Sequence, residues 1–274
     1  MKKHNERTRT LIAALCGGAV FIAVYAAGLC IPEEHTAGSF LHSREPPSFE
    51  HPFGTDMLGR DLLLRTVKGL SVSITIGAAA SMLSAVIAVL VGAGTVVGSK
   101  RLDAVIGWII DLVMSVPHLI LIMLISFVCG RGMPGLLAGI AATHWCGLAR
   151  VIRGEVMQLR SCRYIAVSRR LGKSGGWILR HHMLPHLMPQ FFAGLILMFP
   201  HAILHEASVS FLGFGLPPEK PAIGSILAES MSGLSAGMWW AAVLPGAVLA
   251  LLVLLIEKIG SQAAVILNPH TAQK

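Results

Sequence analysis

Six stretches of this chain are apolar over lengths at or near that of a bilayer's hydrocarbon core, and this limits the fold more than any other feature. They run approximately over Leu11–Ile31, Leu70–Ser99, Ala104–Cys129, Pro134–Ala149, Leu187–His205 and Met238–Ile256. The first holds 21 residues and the second 30 with no formal charge. Because about 20 apolar residues in a helix cross a bilayer, the second is long enough to span with tilt. Composition agrees: 54% of the residues are hydrophobic and 13% are charged, whereas a soluble domain carries about 25% charged residues. The expectation is an all-α integral membrane protein with six transmembrane helices.

The positive charges orient it. With the N-terminus inside, 16 of the 22 Lys and Arg fall on inner segments. Eight of them (Arg150, Arg153, Arg160, Arg163, Arg169, Arg170, Lys173 and Arg180) lie in the one long segment between the fourth and fifth stretches. Lys and Arg resist translocation, so both termini and this segment read as cytoplasmic. The segment is also longer than a helix–helix connection needs, which suggests that something in the cytoplasm uses it. The net charge of +8 is thus a topology signal, and no recognisable nucleic-acid module accompanies it.

The first stretch exceeds a signal-peptide core of 7 to 15 residues and reads as an uncleaved anchor helix. Before the second stretch, Gly54–Leu70 turns amphipathic; Thr55 or Asp56 is a candidate cap for a helix lying in the interface. The alternative is a loop that starts the next helix. Gly94–Gly98 and Gly135–Gly139 have the spacing that lets helices approach closely. Five scattered cysteines imply neither a disulfide framework nor a zinc site.

Chemical motifs are sparse. Leu171-Gly172-Lys173-Ser174 resembles the end of a phosphate-binding loop, but position 167 is Val where the pattern requires Gly, so nucleotide binding is not expected. His201 and His205 stand at i, i+4 beside Glu206, a spacing that can hold a transition metal or simply place hydrogen-bonded histidines at the interface. No HExxH pattern follows. Asp111 and His118 fall within the third stretch; an acid at membrane depth marks either a pathway or a structural hydrogen bond. No nucleophile–base arrangement or enclosed carboxylate pair supports an enzyme.

The long basic segment carries a resemblance. Ala166-Val167-Ser168-Arg169-Arg170-Leu171-Gly172, followed after nine residues by His182-Met183-Leu184-Pro185, is similar to the cytoplasmic signature of bacterial ABC importer permeases: Glu-Ala-Ala, three residues, Gly, nine residues, Ile, one residue, Leu-Pro. The Gly172 to Leu184-Pro185 spacing matches. Ala166 stands at the Glu position, Val167 and Ser168 at the two Ala positions, and His182 at the Ile position. Phe53–Asp61, Ala149–Glu155 and Glu206–Gly215 resemble the dipeptide/oligopeptide/nickel branch, and the whole looks most like the second permease of its pair.

That resemblance implies a single transmembrane domain over 1–274, with an anchor helix and outer loop at 1–69. Core helices would occupy 70–256 and enclose a coupling loop at 150–186. It implies a helix ending at Gly172 that docks on one of two cytoplasmic ATPase subunits, a homologous permease partner and an extracytoplasmic binding protein. ATP and Mg would reside on the ATPase chains, with no cofactor here. The location implied is the bacterial inner membrane and the cargo di- or oligopeptides, with nickel or a metal chelate as the alternative. A stand-alone channel or secondary transporter, the competing class, predicts inverted repeats and broken helices.

Overall fold

The computed structural model describes residues 2–32, 38–94, 100–217 and 220–267. The fold is helical: α1 Lys2–Cys30, α2 Leu62–Gly94, α3 Lys100–Ser115, α4 His118–Val128, α5 Gly132–Arg160, α6 Arg163–Arg170, α7 Gly175–Ile178, α8 Leu184–Phe211, α9 Ile223–Leu234 and α10 Trp240–Leu267. The only β-type pairing among the described residues is the bridge Thr55–Asp61. Four helical runs are long and apolar enough to cross a membrane: Leu62–Gly94, Gly132–Arg160, Gly175–Phe211 and Trp240–Ala263. The bent pair α3–α4 makes up to five. The chain is a multi-pass integral membrane protein.

α2 is the central post, touching α1, α5, α8, α9 and α10. Its sequence suits that place because the residues it buries are mostly small, including Ser71, Ser73, Gly77, Ala80, Ser81, Ser84, Ala85 and Ala88. Without water between helices, close packing replaces the hydrophobic effect as the source of cohesion. Its hydroxyls turn back on their own helix: Ser84 Oγ donates to Ala80 O at 2.8 Å and Thr75 Oγ1 to Ser71 O at 2.8 Å. Around this post sit a cluster at the α6 end (Ile110, Ile152, Val156, Ile165, Met183) and two at mid-depth and beyond, centred on Ile74, Ile203 and Leu252, and on Ile76, Ile122 and Ile140.

The Gly135–Gly139 pair is used as its spacing suggests. A Cβ at Gly135 would lie 2.6 Å from Ser126 O, and one at Gly139 2.8 Å from Ile122 O. Both are below any normal contact, so α4 and α5 pack backbone against backbone. Gly94 has open space beside it, and Gly98 lies outside the described residues.

Three expectations are corrected. The third stretch is not one helix: α3 and α4 meet at an angle of 98°, with Pro117 as the cap of α4. Proline cannot donate a backbone hydrogen bond and disfavours helix in the residue before it, so Asp111 and His118 lie on different helices. The third stretch is thus a bent helix pair where the sequence reading took one continuous span. Second, Gly54–Asp61 is not helical. Asp56 Oδ1 accepts the amides of Leu58 and Arg60, both at 2.9 Å, and Asp61 Oδ1 accepts Leu64 N at 3.0 Å. Asp61, not Thr55 or Asp56, thereby receives α2, which starts at Leu62 and continues as one helix. Third, α5 runs to Arg160, about three turns beyond Ala149, so Arg150, Arg153 and Arg160 are helical rather than loop residues.

Candidate coupling site and the polar clusters of the bundle

α6 is an eight-residue helix bracketed by two turns. Its end is built by hydrogen bonds from Gly172 N to Arg169 O at 3.0 Å and from Lys173 N to Ser168 O at 3.1 Å. That pair of bonds is the Schellman arrangement, which requires a left-handed residue after the cap; Gly172 has φ +76°. Glycine takes this conformation without a steric penalty. Two residues on, Ser174 Oγ accepts Trp177 N at 3.3 Å and starts α7.

One residue anchors α6. Ile165 is fully buried, packed in the cluster that includes Ile152, Val156, Ile178, Met183 and Leu187. It thus sits between the end of α5 and the start of the α7–α8 run. Beside it, Ser168 Oγ lies 3.1 Å from His182 Nε2, and the Tyr164 and His182 rings meet edge-on at 5.6 Å. Burial pushes the Tyr164 phenol up from its usual range. The opposite face is open: Val167 is 55% and Leu171 73% exposed, flanked by exposed Arg163, Ala166, Arg169, Arg170 and Lys173. Together these residues form an apolar ridge with a basic rim on a short helix that Ile165 seats against α5 and the α7–α8 run.

Leu184 and Pro185 open α8, with the proline in its first turn, where a missing amide is tolerated. The chain is already helical before them: Leu179–Met183 forms a π-turn joining α7 to α8, so the run continues over Gly175–Phe211. Nearby, Arg153 grips Asp103 with two bonds of 2.6 and 3.0 Å, and Gln190 Nε2 donates to Glu155 Oε1 at 3.1 Å. These tie α3 and α8 to the basic end of α5.

The other sequence-derived candidates scatter. Asp111 is exposed and paired with Arg150 at 2.6 Å, a contact between α3 and α5. His201 is exposed, whereas His205 turns toward His118 on α4 and His144 on α5, with ring centroids 4.8 and 5.1 Å away. Glu206, about 100° further round the helix, is fully buried and accepts Ser210 Oγ at 2.8 Å. It does not join His205. Its Oε2 and the Ser73 Oγ of α2 lie near each other without a well-formed hydrogen bond.

Sequence reasoning missed an ion network at the end opposite α6. Arg65, almost fully buried, donates from Nη1 to Asp56 Oδ2 at 2.7 Å and to Glu229 Oε2 at 2.9 Å. Arg60 reaches the same two carboxylates at 2.6 and 2.5 Å. The four charges border a cavity of about 420 Å³, lined also by Ser230 and Ser232 and by apolar groups such as Met57, Leu62, Ile226 and Met238. The available signal was the run of charges at Asp56, Arg60 and Arg65 entering an apolar span; Glu229 carried none.

Comparison with known proteins defines the class. The helical arrangement matches a chain of the MetNI methionine ABC transporter, solved in inward-facing conformations. The TM-score is 0.54 at 18% identity, over 76% of this chain and 96% of that one. The fold is that of this ABC transporter chain. Residues 68–265 match the family described as "Binding-protein-dependent transport system inner membrane component", and the chain belongs to that family. It is 32% identical over 206 residues to the oligopeptide transport system permease protein OppC of Bacillus subtilis, covering 75% of this chain and 68% of that protein. With the dipeptide transport system permease protein DppC of the same organism it shares 29% over 238 residues, 87% of this chain and 74% of the other. With a putative peptide permease protein of Brucella suis it shares 33% over 244 residues, 88% and 80% of the two chains.

Proposed function

We propose that this chain forms half of the translocation pathway of a binding-protein-dependent importer for di- or oligopeptides, as the second of two paired permeases. The observation that carries the reading is α6, seated by Ile165, closed at Gly172 and presenting Val167 and Leu171 within a basic rim. It is the face on which a cytoplasmic ATPase subunit docks. ATP and Mg belong to two such subunits, and an extracytoplasmic binding protein delivers the cargo. This chain performs no chemistry itself.

In this reading six helices cross the bacterial inner membrane: α1, α2, the broken span α3–α4, α5, α8 and α10. Both termini and α6 face the cytoplasm, in keeping with the 16-to-6 division of Lys and Arg. The Asp56–Arg65–Glu229 network then lies at the outer end, where cargo arrives. The peptide assignment draws on the relatives reported above, whose names specify oligopeptide, dipeptide or peptide transport. Uptake of a labelled dipeptide, a labelled pentapeptide and radiolabelled nickel by cells expressing the complete system, with and without this chain, tests it. Peptide uptake that depends on this chain is expected; dependence of nickel uptake alone would reject the peptide reading.

A further inference from the structure

The bundle holds a group of side chains that coupling to an ATPase does not use. His118 at the start of α4, His144 in the middle of α5 and His205 on α8 are far apart in sequence, yet their rings converge. The centroids of His118 and His144 are 4.6 Å apart, and those of His118 and His205 4.8 Å. One nitrogen from each ring lies within 4.8 Å of the other two, and all three residues are partly buried.

We propose that these three imidazoles form a binding site for a borderline divalent transition metal such as Zn²⁺, Ni²⁺ or Co²⁺. Zn–N bonds of about 2.0–2.1 Å in tetrahedral geometry separate neighbouring ligand nitrogens by about 3.3–3.4 Å. His118 Nδ1 and His205 Nε2 already stand 3.3 Å apart, the length of one tetrahedral edge. His144 supplies the third donor in a prepared state. Its Nδ1 faces Ile140 O at 3.1 Å, a bond that places the proton on Nδ1. Its Nε2 is buried with no hydrogen-bond partner, so it is left as a lone pair. A backbone carbonyl that fixes the tautomer of a ligating histidine is the usual outer support of such sites. The His144 nitrogen, within 4.8 Å of the other two, has to close by up to about 1.5 Å to match the first pair.

The donor set selects the ion. Three neutral nitrogens with no carboxylate suit Zn, Ni, Co or Cu and not Mg or Ca, which require oxygen ligands. Three ligands leave a fourth position for water or an anion, as in open zinc sites. The proline break at Pro117 makes the convergence possible, because it sets His118 at the first position of α4. A bound ion would link α4, α5 and α8 directly. The site stands on these distances and does not depend on which cargo the transporter carries.

Metal content of the purified complex containing the full chain, after equilibration with Zn²⁺ and removal of excess, is the test. Replacing His144 with Ala, or His118 with Ala, is expected to remove about one Zn²⁺ per copy of this chain. His42→Ala, in the separate surface group His42–Glu45–His51, is expected to remove none. Co²⁺ substitution of the unaltered complex should give the intense visible bands of a four-coordinate ion. X-ray absorption of its Zn²⁺ form should show three imidazole nitrogens at about 2.0–2.1 Å. This spectrum needs no variant, so it decides the matter even if His144→Ala fails to assemble. Equal Zn²⁺ content in parent, His144→Ala and His118→Ala, or an all-oxygen shell in the spectrum, overturns the proposal.

Discussion

His182 Nε2 donates a hydrogen bond to Ser168 Oγ across 3.1 Å. The direction follows from the hydroxyl's single proton, which Ser168 directs to Tyr164 O at 2.9 Å. Ser168 and His182 stand where the permease signature has Ala and Ile. These two of the four departures from the signature thus meet in one polar contact between α6 and the turn before α8. Ser168→Ala alone leaves a donor without its acceptor and is expected to destabilise this junction by about 1 kcal/mol. Adding His182→Ile to it should restore stability. Thermal unfolding of parent, both single variants and the double variant checks this: strictly additive effects would show that the two side chains do not interact.

Gly172→Val places a β-branched residue at φ +76°, a conformation that costs an L-residue roughly 1–2 kcal/mol. Nothing packs within 4 Å of that position, so the effect is confined to the turn and the bundle should survive. The expected outcome is ATP hydrolysis by the assembled complex that no longer drives uptake. Coupled transport at parental rate and equal membrane abundance would show that the turn is not needed.

Arg65 is nearly inaccessible and satisfies two carboxylates at once. Removing one partner of a buried ion pair leaves charge uncompensated and costs about 3–5 kcal/mol. Arg65→Met should accordingly lower the unfolding midpoint of the purified chain far more than Arg60→Met, since Arg60 is more exposed. Equal effects would place the burden of the network elsewhere.

Single cysteines at Ser43 and Ser174, introduced after removal of Cys16, Cys30, Cys129, Cys146 and Cys162, report sidedness. An impermeant thiol reagent applied to intact cells should label position 43 and not position 174. Labelling of both from outside would reject a cytoplasmic α6.

What the sequence carried and what it withheld differ for physical reasons. The all-helical, multi-pass character and the turn at Gly172 were legible because hydropathy over about 20 residues and a glycine-requiring turn are local properties. The seat of α6 was only half legible: the signature spacing located it, but Ile165 as its anchor depends on α5 and α8 closing around it. The break at Pro117 was visible as a proline, yet a proline inside an apolar run also fits a kinked continuous helix, and neighbouring helices decide between them. The histidines show the limit most clearly. Spacing along α8 favoured His201 with His205, whereas the partners of His205 came from α4 and α5, at distances in sequence that no local pattern encodes. Glu229 meets Arg65 across 164 positions and was invisible for the same reason.

An ATPase subunit docked on the exposed ridge of α6 lies within crosslinking reach of Val167. A cysteine at Val167, 55% exposed on that ridge, in the cysteine-free chain co-expressed with its partners, tests it most directly. With a short thiol-to-amine crosslinker in membranes, a covalent product with an ATPase subunit is expected and none with the binding protein. Absence of the ATPase product from Val167→Cys, in a complex shown to hydrolyse ATP and transport, would contradict it.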